Sequence, residues 1–256
     1  MFRAWPFLLL FAVFANAEPL VGVDHIPVAV RDLEAAAASY RALGFALKPG
    51  RPHDNSLNNW HAKYPDGTEI ELITATQPKD ALAAKYLQLI AAGEGPAFLA
   101  LHCADFARLR ARLTEHGIGF DPTSFFSLQD PRLAYLFFVG DNRSPTDRPE
   151  HFAHANGTTA VVGVWLADAE NPALIELLTA LGAPPVRREV RVPEPTTALV
   201  STVENGEIVL LPKSRRSIAD RPILGAVLAV RAPAGSRSRF VPPEQARGLW
   251  LEFRPK

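Results

Sequence analysis

The side chains best suited to chemistry in this sequence are a few histidines and carboxylates. Glu69 and Glu71 alternate in phase along a predicted strand, so both lie on the face that also carries Ile73, and this face is inward and partly polar. His151 and His154 stand three residues apart after a proline-rich loop, a spacing that short-range metal sites use. Because carboxylates and neutral imidazoles suit Zn²⁺, Fe²⁺, Mn²⁺ or Ni²⁺, metal-assisted chemistry is the first class to consider. The sequence carries no Ser-His-Asp signature, phosphate-binding loop or dinucleotide fingerprint.

The elements that would position these side chains recur along the chain. Three times, a short apolar strand leads to an Asp and then to an amphipathic helix that ends at a Gly. The Asp carboxylate can accept hydrogen bonds from the free N–H groups at a helix start, and Gly can adopt the left-handed geometry that ends the helix. In the first copy the strand is residues 26–30, followed by Asp32 and Gly44. In the second copy it is residues 98–101, followed by Asp105 and Gly117. In the third copy it is residues 160–165, followed by Asp168 and Gly182, and Asn171-Pro172 opens the helix.

Tight-turn signals follow two of these helices at nearly the same distance. They are Asp66-Gly67 and Asn205-Gly206, and both predict hairpins. Each unit therefore reads as strand, helix and three strands, and such units pair because one alone cannot cover both sides of its sheet. We predict an α+β fold in which repeated βαβββ modules form curled mixed sheets around a cleft. The predicted modules are residues 18–80, a degenerate second module at 97–153, a third at 158–213, and helix-poor closing strands of a fourth at 222–256.

Composition and charge narrow the choice of compartment and partner. Residues 1–17 have the basic start, short apolar run and Ala-Asn-Ala ending of a signal peptide, which predicts a periplasmic or secreted protein. No later stretch is long enough to cross a bilayer, and a formal net charge of zero leaves no basic surface for nucleic acid. We expect a small-molecule ligand, no nucleic acid, and no membrane contact after cleavage. Cys103, the only cysteine, excludes an internal disulfide and a cysteine-based zinc site, and is expected to be buried.

Motifs in the first module resemble a known superfamily. Residues 24–34, 43–45 and 66–72 together are similar to the opening module of the vicinal-oxygen-chelate (glyoxalase/bleomycin resistance/dioxygenase) superfamily, and most of all to its glyoxalase-like branch. Further stretches resemble later parts of that branch; they are residues 137–138, 154–157, 242–244 and 248–253. The resemblance covers most of the chain after the predicted signal peptide.

The resemblance implies a divalent metal ion, Zn, Fe, Mn or Ni, held by His and Glu ligands from the first and last strands of paired modules. His25 and Glu71 match one such pair. Alignment of the later modules with the first places Phe98, Val161 and Gly225 at the position of His25, and Val209 at the position of Glu71. Among the matching positions, only Glu252 is acidic.

Two arrangements of the site therefore remain open. Either His25, Glu71 and Glu252 bind a metal ion that a further residue such as His154 completes, or the protein binds no metal. Asn58, Asn59, Trp60 and His61 precede the hairpin, where the family's substrate pocket lies. Asn59 and Trp60 are the expected ligand contacts, and packing in the core is the alternative for Trp60.

Three functions follow from these arrangements. The first is an exported metal-dependent lyase or isomerase that stabilises an enediolate, with Glu71 or Glu252 moving the proton. The second is a metal-free protein of the same fold that binds or sequesters a small molecule. The third is extradiol-type oxygen chemistry, which needs two histidines and one carboxylate on iron. A homodimer is compatible with all three, because paired modules can exchange between protomers.

Overall fold

A computed structural model describes residues 19–51, 53–123, 126–233 and 235–256 of the chain. The predicted signal peptide at 1–17 lies outside the described residues. Within the described part, no helix is long and apolar enough to cross a membrane. The structure confirms the α+β class, with two curled mixed sheets and helices packed against them.

The first sheet is built from the first half of the chain. Its strands are β1 (Leu20–Ala29), β2 (Lys48–Pro49), β3 (Leu57–Lys63), β4 (Glu69–Ala75), β5 (Gly95–Pro96), β6 (Leu99–Cys103), β7 (Phe120–Asp121), β8 (Ser127–Leu128) and β9 (Leu136–Val139). They are ordered β2-β3-β4-β1-β6-β9-β8-β7, and β5 pairs with β1. The antiparallel β1–β6 pair at the centre joins the first strand–helix–strand unit to the second.

The second sheet repeats this plan with the second half. Its strands are β10 (Thr158–Leu166), β11 (Val186–Arg191), β12 (Pro195–Val203), β13 (Gly206–Leu210), β14 (Ile223–Val230), β15 (Arg239–Val241) and β16 (Trp250–Pro255). They are ordered β11-β12-β13-β10-β14-β16-β15. The antiparallel β10–β14 pair occupies the same central place as β1–β6.

Helices begin where the sequence places capping residues. Asp32, Asp105 and Asn171 each accept a hydrogen bond from a backbone N–H in the first turn of the helix that follows. Asp80 does the same for a helix between the first and second units that the sequence analysis did not predict. The α-helices are α1 (Leu33–Ala42), α2 (Ala81–Ala92), α3 (Phe106–Glu115) and α4 (Pro172–Ala180), and 3-10 helices span Pro131–Leu133, Pro149–Phe152 and Lys213–Arg215.

One apolar core lies between the two sheets. Val23 and Ile26 of β1 belong to the same buried cluster as Val161 and Val164 of β10, together with side chains of α1, α3 and α4. The opposite faces of the sheets are separate. The first is partly covered by α2, through Tyr86 and its neighbours, and the second is filled by a cluster around Trp165.

Reciprocal hairpin contacts fasten the sheets together. The Asn205 side chain of the β12–β13 turn bonds to β1 at both ends, since its Oδ1 accepts from Val23 N at 3.3 Å and its Nδ2 donates to Val23 O at 2.8 Å. In the opposite direction, Thr68 of the β3–β4 turn accepts a hydrogen bond from Val161 N of β10 at 2.9 Å. The two hairpins predicted from Asp66-Gly67 and Asn205-Gly206 therefore also align the sheets.

His154, one of the residues considered as a metal ligand, fastens the segment before β10 to the first unit. Its Nδ1 accepts from Ala46 N at 3.0 Å and its Nε2 lies 2.8 Å from Lys63 O, so Nε2 carries the proton and donates. The ring packs against Tyr64 and Phe45. Burial lowers the pKa of His154, which keeps the ring neutral and leaves neither nitrogen for a metal ion.

Replacing Asn205 by Ala is expected to destabilise the protein by about 2–4 kcal/mol, because it leaves the buried N–H and C=O of Val23 without partners. Chemical denaturation measures this change. Glu204→Ala, at the exposed neighbouring position, is the control and should change the free energy of unfolding by no more than about 0.5 kcal/mol. Equal effects of the two substitutions would contradict the proposed fastening.

His154 should also give stability a pH dependence of defined sign. Because its pKa is lower in the folded than in the unfolded chain, its contribution is complete above the unfolded value of about 6.5 and is lost as the pH falls below it. The advantage of the wild type over His154→Gln should therefore shrink on acidification from pH 7.5 to 5, by at most about 1.4 kcal/mol per pH unit. Urea denaturation of both proteins across this range measures the difference. An advantage that grows on acidification would show that His154 is charged in the folded state.

Candidate functional site

The concave face of the first sheet forms a cleft of about 1340 Å³. Alternate residues of β1, β3 and β4 line its floor, as expected for side chains that point to one face of a sheet. Helix α2 covers one end with Leu82 and Tyr86, and the β9 region closes the far side with Leu136 and Phe137. The cleft is therefore polar along its floor and apolar along its walls.

His25 and Glu71 both line this floor, so the structure brings the first predicted pair together. Strands β1 and β4 are parallel, with His25 opposite Glu69 and Pro27 opposite Glu71. His25 Nδ1 lies 2.6 Å from Oδ1 of Asp24, whose side chain is only 1% exposed. This contact fixes the ring through Nδ1 and leaves Nε2 for the cleft.

The charges around His25 determine its protonation. Burial opposes the charged ring, but the hydrogen bond with Asp24 and the charges of Glu69 and Glu71 outweigh burial and raise the pKa of His25. His61 behaves in the same way, because its hydrogen bond with Glu69 and the charge of Glu71 overcome burial and raise its pKa. Two half-buried histidines with raised pKa values indicate a negative electrostatic potential at the cleft floor.

Glu69 and Glu71 have different partners although they are neighbours on one face. Glu69 is 3.1 Å from His61 Nδ1 and 3.3 Å from Lys63 Nζ, and these contacts outweigh burial and lower its pKa to about 2. Glu71 receives a hydrogen bond at 2.6 Å from the neutral amide of Asn59. Sequence reasoning missed Lys63 as a cleft residue, although it alternates in phase with Asn59 and His61 along β3.

Asn59 and Trp60, the two predicted ligand contacts, face opposite sides of β3. Asn59 lines the cleft, whereas Trp60 packs on the outer side against α1. The Trp60 Nε1 group donates to Glu34 at 2.9 Å, and the Arg41 guanidinium lies 4.6 Å from the ring centre. Trp60 is therefore not part of the cleft, and the expectation that it contacts a ligand there is corrected.

Two phenylalanines occupy the places that correspond to His25 and Glu71 in the second unit. His25 stands seven residues before the α1 cap Asp32, and Phe98 stands seven residues before the α3 cap Asp105. Strand pairing completes the correspondence, because Pro27 opposes Glu71 in β1–β4 and Ala100 opposes Phe137 in β6–β9. The rings of Phe98 and Phe137 meet edge to face at 6.5 Å, and His25 packs against Phe137 at 5.5 Å.

Glu252, the second predicted carboxylate, lies in the other sheet. It opposes Val227 on the β14–β16 pair, which is the second-sheet counterpart of the Ala100–Phe137 pair. Its carboxylate bonds to Arg254 and Ser238, each at 2.8 Å, and the side chain is 3% exposed. Glu252 therefore matches Glu71 in position but belongs to a different concave face, and the structure does not assemble it with His25 and Glu71.

The donor set of the cleft does not fit a divalent metal ion. Catalytic sites of this kind need at least three protein ligands. Glu69 is already bonded to His61 and Lys63, so His25 and Glu71 are the two donors left, and they face Phe98 and Phe137. His154 uses both ring nitrogens for backbone contacts outside the cleft. In the described ranges, no group of three or more His, Cys, Asp or Glu side chains is arranged to hold a metal ion.

The concave face of the second sheet has no comparable polar floor. Trp165, Val209 and Val227 fill it together with Phe240, whose ring lies 6.0 Å from that of Trp165. Val209 occupies the place of Glu71, since it opposes Trp165 in the β10–β13 pair as Glu71 opposes Pro27. The two sheets therefore share one topology, but the concave face of the first sheet is polar at its floor, whereas that of the second is filled mainly by apolar side chains.

Comparisons with solved structures show the same fold. A hypothetical protein from Staphylococcus aureus has a TM-score of 0.63 at 13% identity, over 91% of this chain and 98% of that one. A mutant of 4-hydroxymandelate synthase from Streptomyces coelicolor has a TM-score of 0.60 at 14% identity, over 93% of each chain. A xylose isomerase-like TIM barrel/4-hydroxyphenylpyruvate dioxygenase fusion protein has a TM-score of 0.59 at 10% identity, over 85% of this chain and 37% of that one. At these identities the likeness concerns the fold alone.

Sequence comparison identifies the family. No curated protein matches this chain significantly. The model of the glyoxalase-like domain matches residues 23–182, more than half of the 256-residue chain. The chain therefore belongs to the glyoxalase-like domain family, within the vicinal-oxygen-chelate superfamily to which its opening motifs point.

Proposed function

We propose that this protein binds a small organic molecule in the cleft of the first sheet without a metal ion. The observation that carries the proposal is the pair Phe98 and Phe137, which stand where a paired-module metal site needs its second set of ligands. Of the functions open at the level of sequence, metal-free binding is the one that this geometry supports best. Metal-dependent lyase, isomerase and extradiol chemistry all need ligands that the cleft does not assemble.

The division of the cleft indicates what kind of molecule it accommodates. Phe98 and Phe137 offer an apolar wall, while His25 and Glu71 offer polar atoms along the floor. Pockets of this type bury most of a ligand against apolar side chains and orient it with a few polar groups. A molecule with an apolar body and one polar end matches both parts.

Export is a separate part of the proposal and is supported by the signal-type residues 1–17. Cleavage after Ala17 would leave the cleft accessible to molecules outside the cytoplasm. The mass of the mature chain tests this part independently of binding.

Metal independence can be tested by restoring the second ligand pair. The wild type should show no thermal stabilisation by Zn²⁺, Ni²⁺, Mn²⁺ or Fe²⁺, whereas Phe98→His with Phe137→Glu should gain it, because two His and two Glu side chains would then face one another. An ion at 100 times its Kd stabilises by about 2.7 kcal/mol. Stabilisation of the wild type that disappears in His25→Ala, Glu71→Ala would overturn the proposal.

Binding in the cleft can be tested by screening soluble aromatic fragments in the presence of EDTA, with thermal shift and NMR as readouts. We expect fragments with an apolar body and one polar group to bind the wild type, and Phe98→Ala with Phe137→Ala to weaken them at least about tenfold through lost ring contacts. Phe240→Ala is the matched control, because it removes a ring from the concave face of the second sheet. If Phe240→Ala alone abolished binding, the site would lie in the second sheet.

A further inference from the structure

We infer that the molecule held in this cleft is an organic cation, an amine whose ammonium group pairs with Glu71 while its apolar body lies against Phe98 and Phe137. The inference rests on the proposed function and specifies its ligand class. Three observations support it. Glu71 lacks the Lys or Arg partner that Glu69, Asp168 and Glu252 have, aromatic side chains stand beside Glu71, and the electrostatic potential at the cleft floor is negative.

Glu71 differs from Glu69, Asp168 and Glu252, three other buried carboxylates of the described residues, in having no Lys or Arg side chain bonded to it. Glu252 pairs with Arg254, Glu69 with Lys63, and Asp168 with Arg216. Glu71 is only 9% exposed, and its recorded polar contact is the neutral amide of Asn59 on Oε1. A buried carboxylate is costly unless it is paired, so Glu71, which lines the cleft, is a suitable acceptor for a hydrogen-bonding cation there.

Aromatic side chains stand beside this carboxylate. Tyr86 is close enough that the charge of Glu71, after burial, contributes to raising the pKa of its phenol. The Tyr86 ring meets Phe98 at 5.5 Å, and Phe98 meets Phe137 at 6.5 Å. Aromatic rings attract cations through their π-faces and take up apolar groups, so a carboxylate within such a wall suits an ammonium group attached to a hydrocarbon body.

The charges on the elements around Glu71 favour a cation. Strand β1 contributes His25 with Asp24, β3 contributes His61 and Lys63, and β4 contributes Glu69. When both histidines are neutral, Asp24, Glu69 and Glu71 carry three negative charges and Lys63 carries one positive charge. The net charge around the cleft floor is therefore negative. Of the other cationic side chains on the cleft, Lys48 is half-buried and pairs with Asp147, whereas Arg51, Lys85 and Arg143 are exposed at its rim, where solvent screens them.

Protonation of His25 and His61 therefore opposes the binding of a cationic ligand. Both rings are within the electrostatic range of Glu71 and have raised pKa values, so part of the negative potential is neutralised at lower pH. An ammonium group bound at Glu71 would displace these protons. Affinity for a cation should therefore rise with pH through the titration range of the two histidines, whereas affinity for a neutral molecule of the same shape should stay nearly constant.

Three probes of similar size and different charge test the inference: benzylamine, benzyl alcohol and benzoate. Their affinities are measured by isothermal titration calorimetry with EDTA at pH 8, where benzylamine is still a cation. We expect benzylamine to bind at least about tenfold more tightly than benzyl alcohol, which is about 1.4 kcal/mol, and benzoate to bind most weakly. On lowering the pH to 6, benzylamine alone should lose affinity.

Two isosteric variants locate the effect. Glu71→Gln retains a hydrogen-bond acceptor for Asn59 but removes the charge, and it should abolish the preference for benzylamine while leaving benzyl alcohol unchanged. Glu252→Gln, which changes a buried carboxylate on the last strand of the final unit, in the second sheet, should keep the preference. Retained thermal stability and circular dichroism show that both variants fold.

The outcomes separate this inference from the proposed function. If all three probes bind equally and Glu71→Gln changes nothing, the cleft is a small-molecule site but the cation is wrong. Preference for benzoate likewise overturns the inference alone. If no probe binds the folded wild type even at millimolar concentration, both the inference and the proposed function fail.

Discussion

Burial of the outer faces of both sheets in one shared core is the constraint on which the rest of the structure depends. Val23 and Ile26 of β1 and Val161 and Val164 of β10 are fully or almost fully buried in this core. Each such side chain stabilises the fold by about 1.5–3 kcal/mol when it leaves water. Since these faces are used for packing, each sheet has only its concave face left, and that face must be filled by side chains or by a ligand.

The two halves of the chain meet this requirement differently. The second sheet fills its concave face with Trp165, Val209 and Phe240, which bury one another. The first sheet carries Glu69, Glu71 and His25 at the floor and leaves a cleft of about 1340 Å³ above them. A polar floor contributes little to the stability of an empty cleft, because buried charges cost free energy unless they are paired. The concave face of the first sheet therefore stabilises the folded chain less than that of the second sheet does.

Much of this fold can be predicted from the sequence because the helix caps and tight turns that define it are local motifs. Asp32, Asp105 and Asn171 cap the helices that they predict, and the Asp66-Gly67 and Asn205-Gly206 turns form the expected hairpins. Helix α2 was missed because it lies between the predicted first module, which ends at residue 80, and the predicted second module, which begins at residue 97, although Asp80 is its N-cap.

The candidate site could be predicted only in part, for reasons of geometry. Neighbouring residues in a strand point to opposite faces, so Asn59 and Trp60 could not both line one cleft. The place of Glu252 depends on which sheet β16 joins, and this pairing with β14 is a tertiary choice that no local motif contains. The structural role of His154 depends on backbone groups of Ala46 and Lys63 that are distant in sequence.

Comparison of Glu71 with Glu252 explains why two sheets of the same topology have different concave faces. Both carboxylates occupy the corresponding place on the last strand of a unit, and both are at least nine-tenths buried. Glu252 is neutralised within the chain by Arg254, which also bonds to Glu207, so its half needs no ligand. Glu71 has only an amide as its partner, and Phe98 and Phe137 stand at the places of the second unit that correspond to His25 and Glu71. Without a metal ion shared between the units, the carboxylate of Glu71 has no counter-charge within the cleft floor apart from the histidines, and the cation inferred above would supply one.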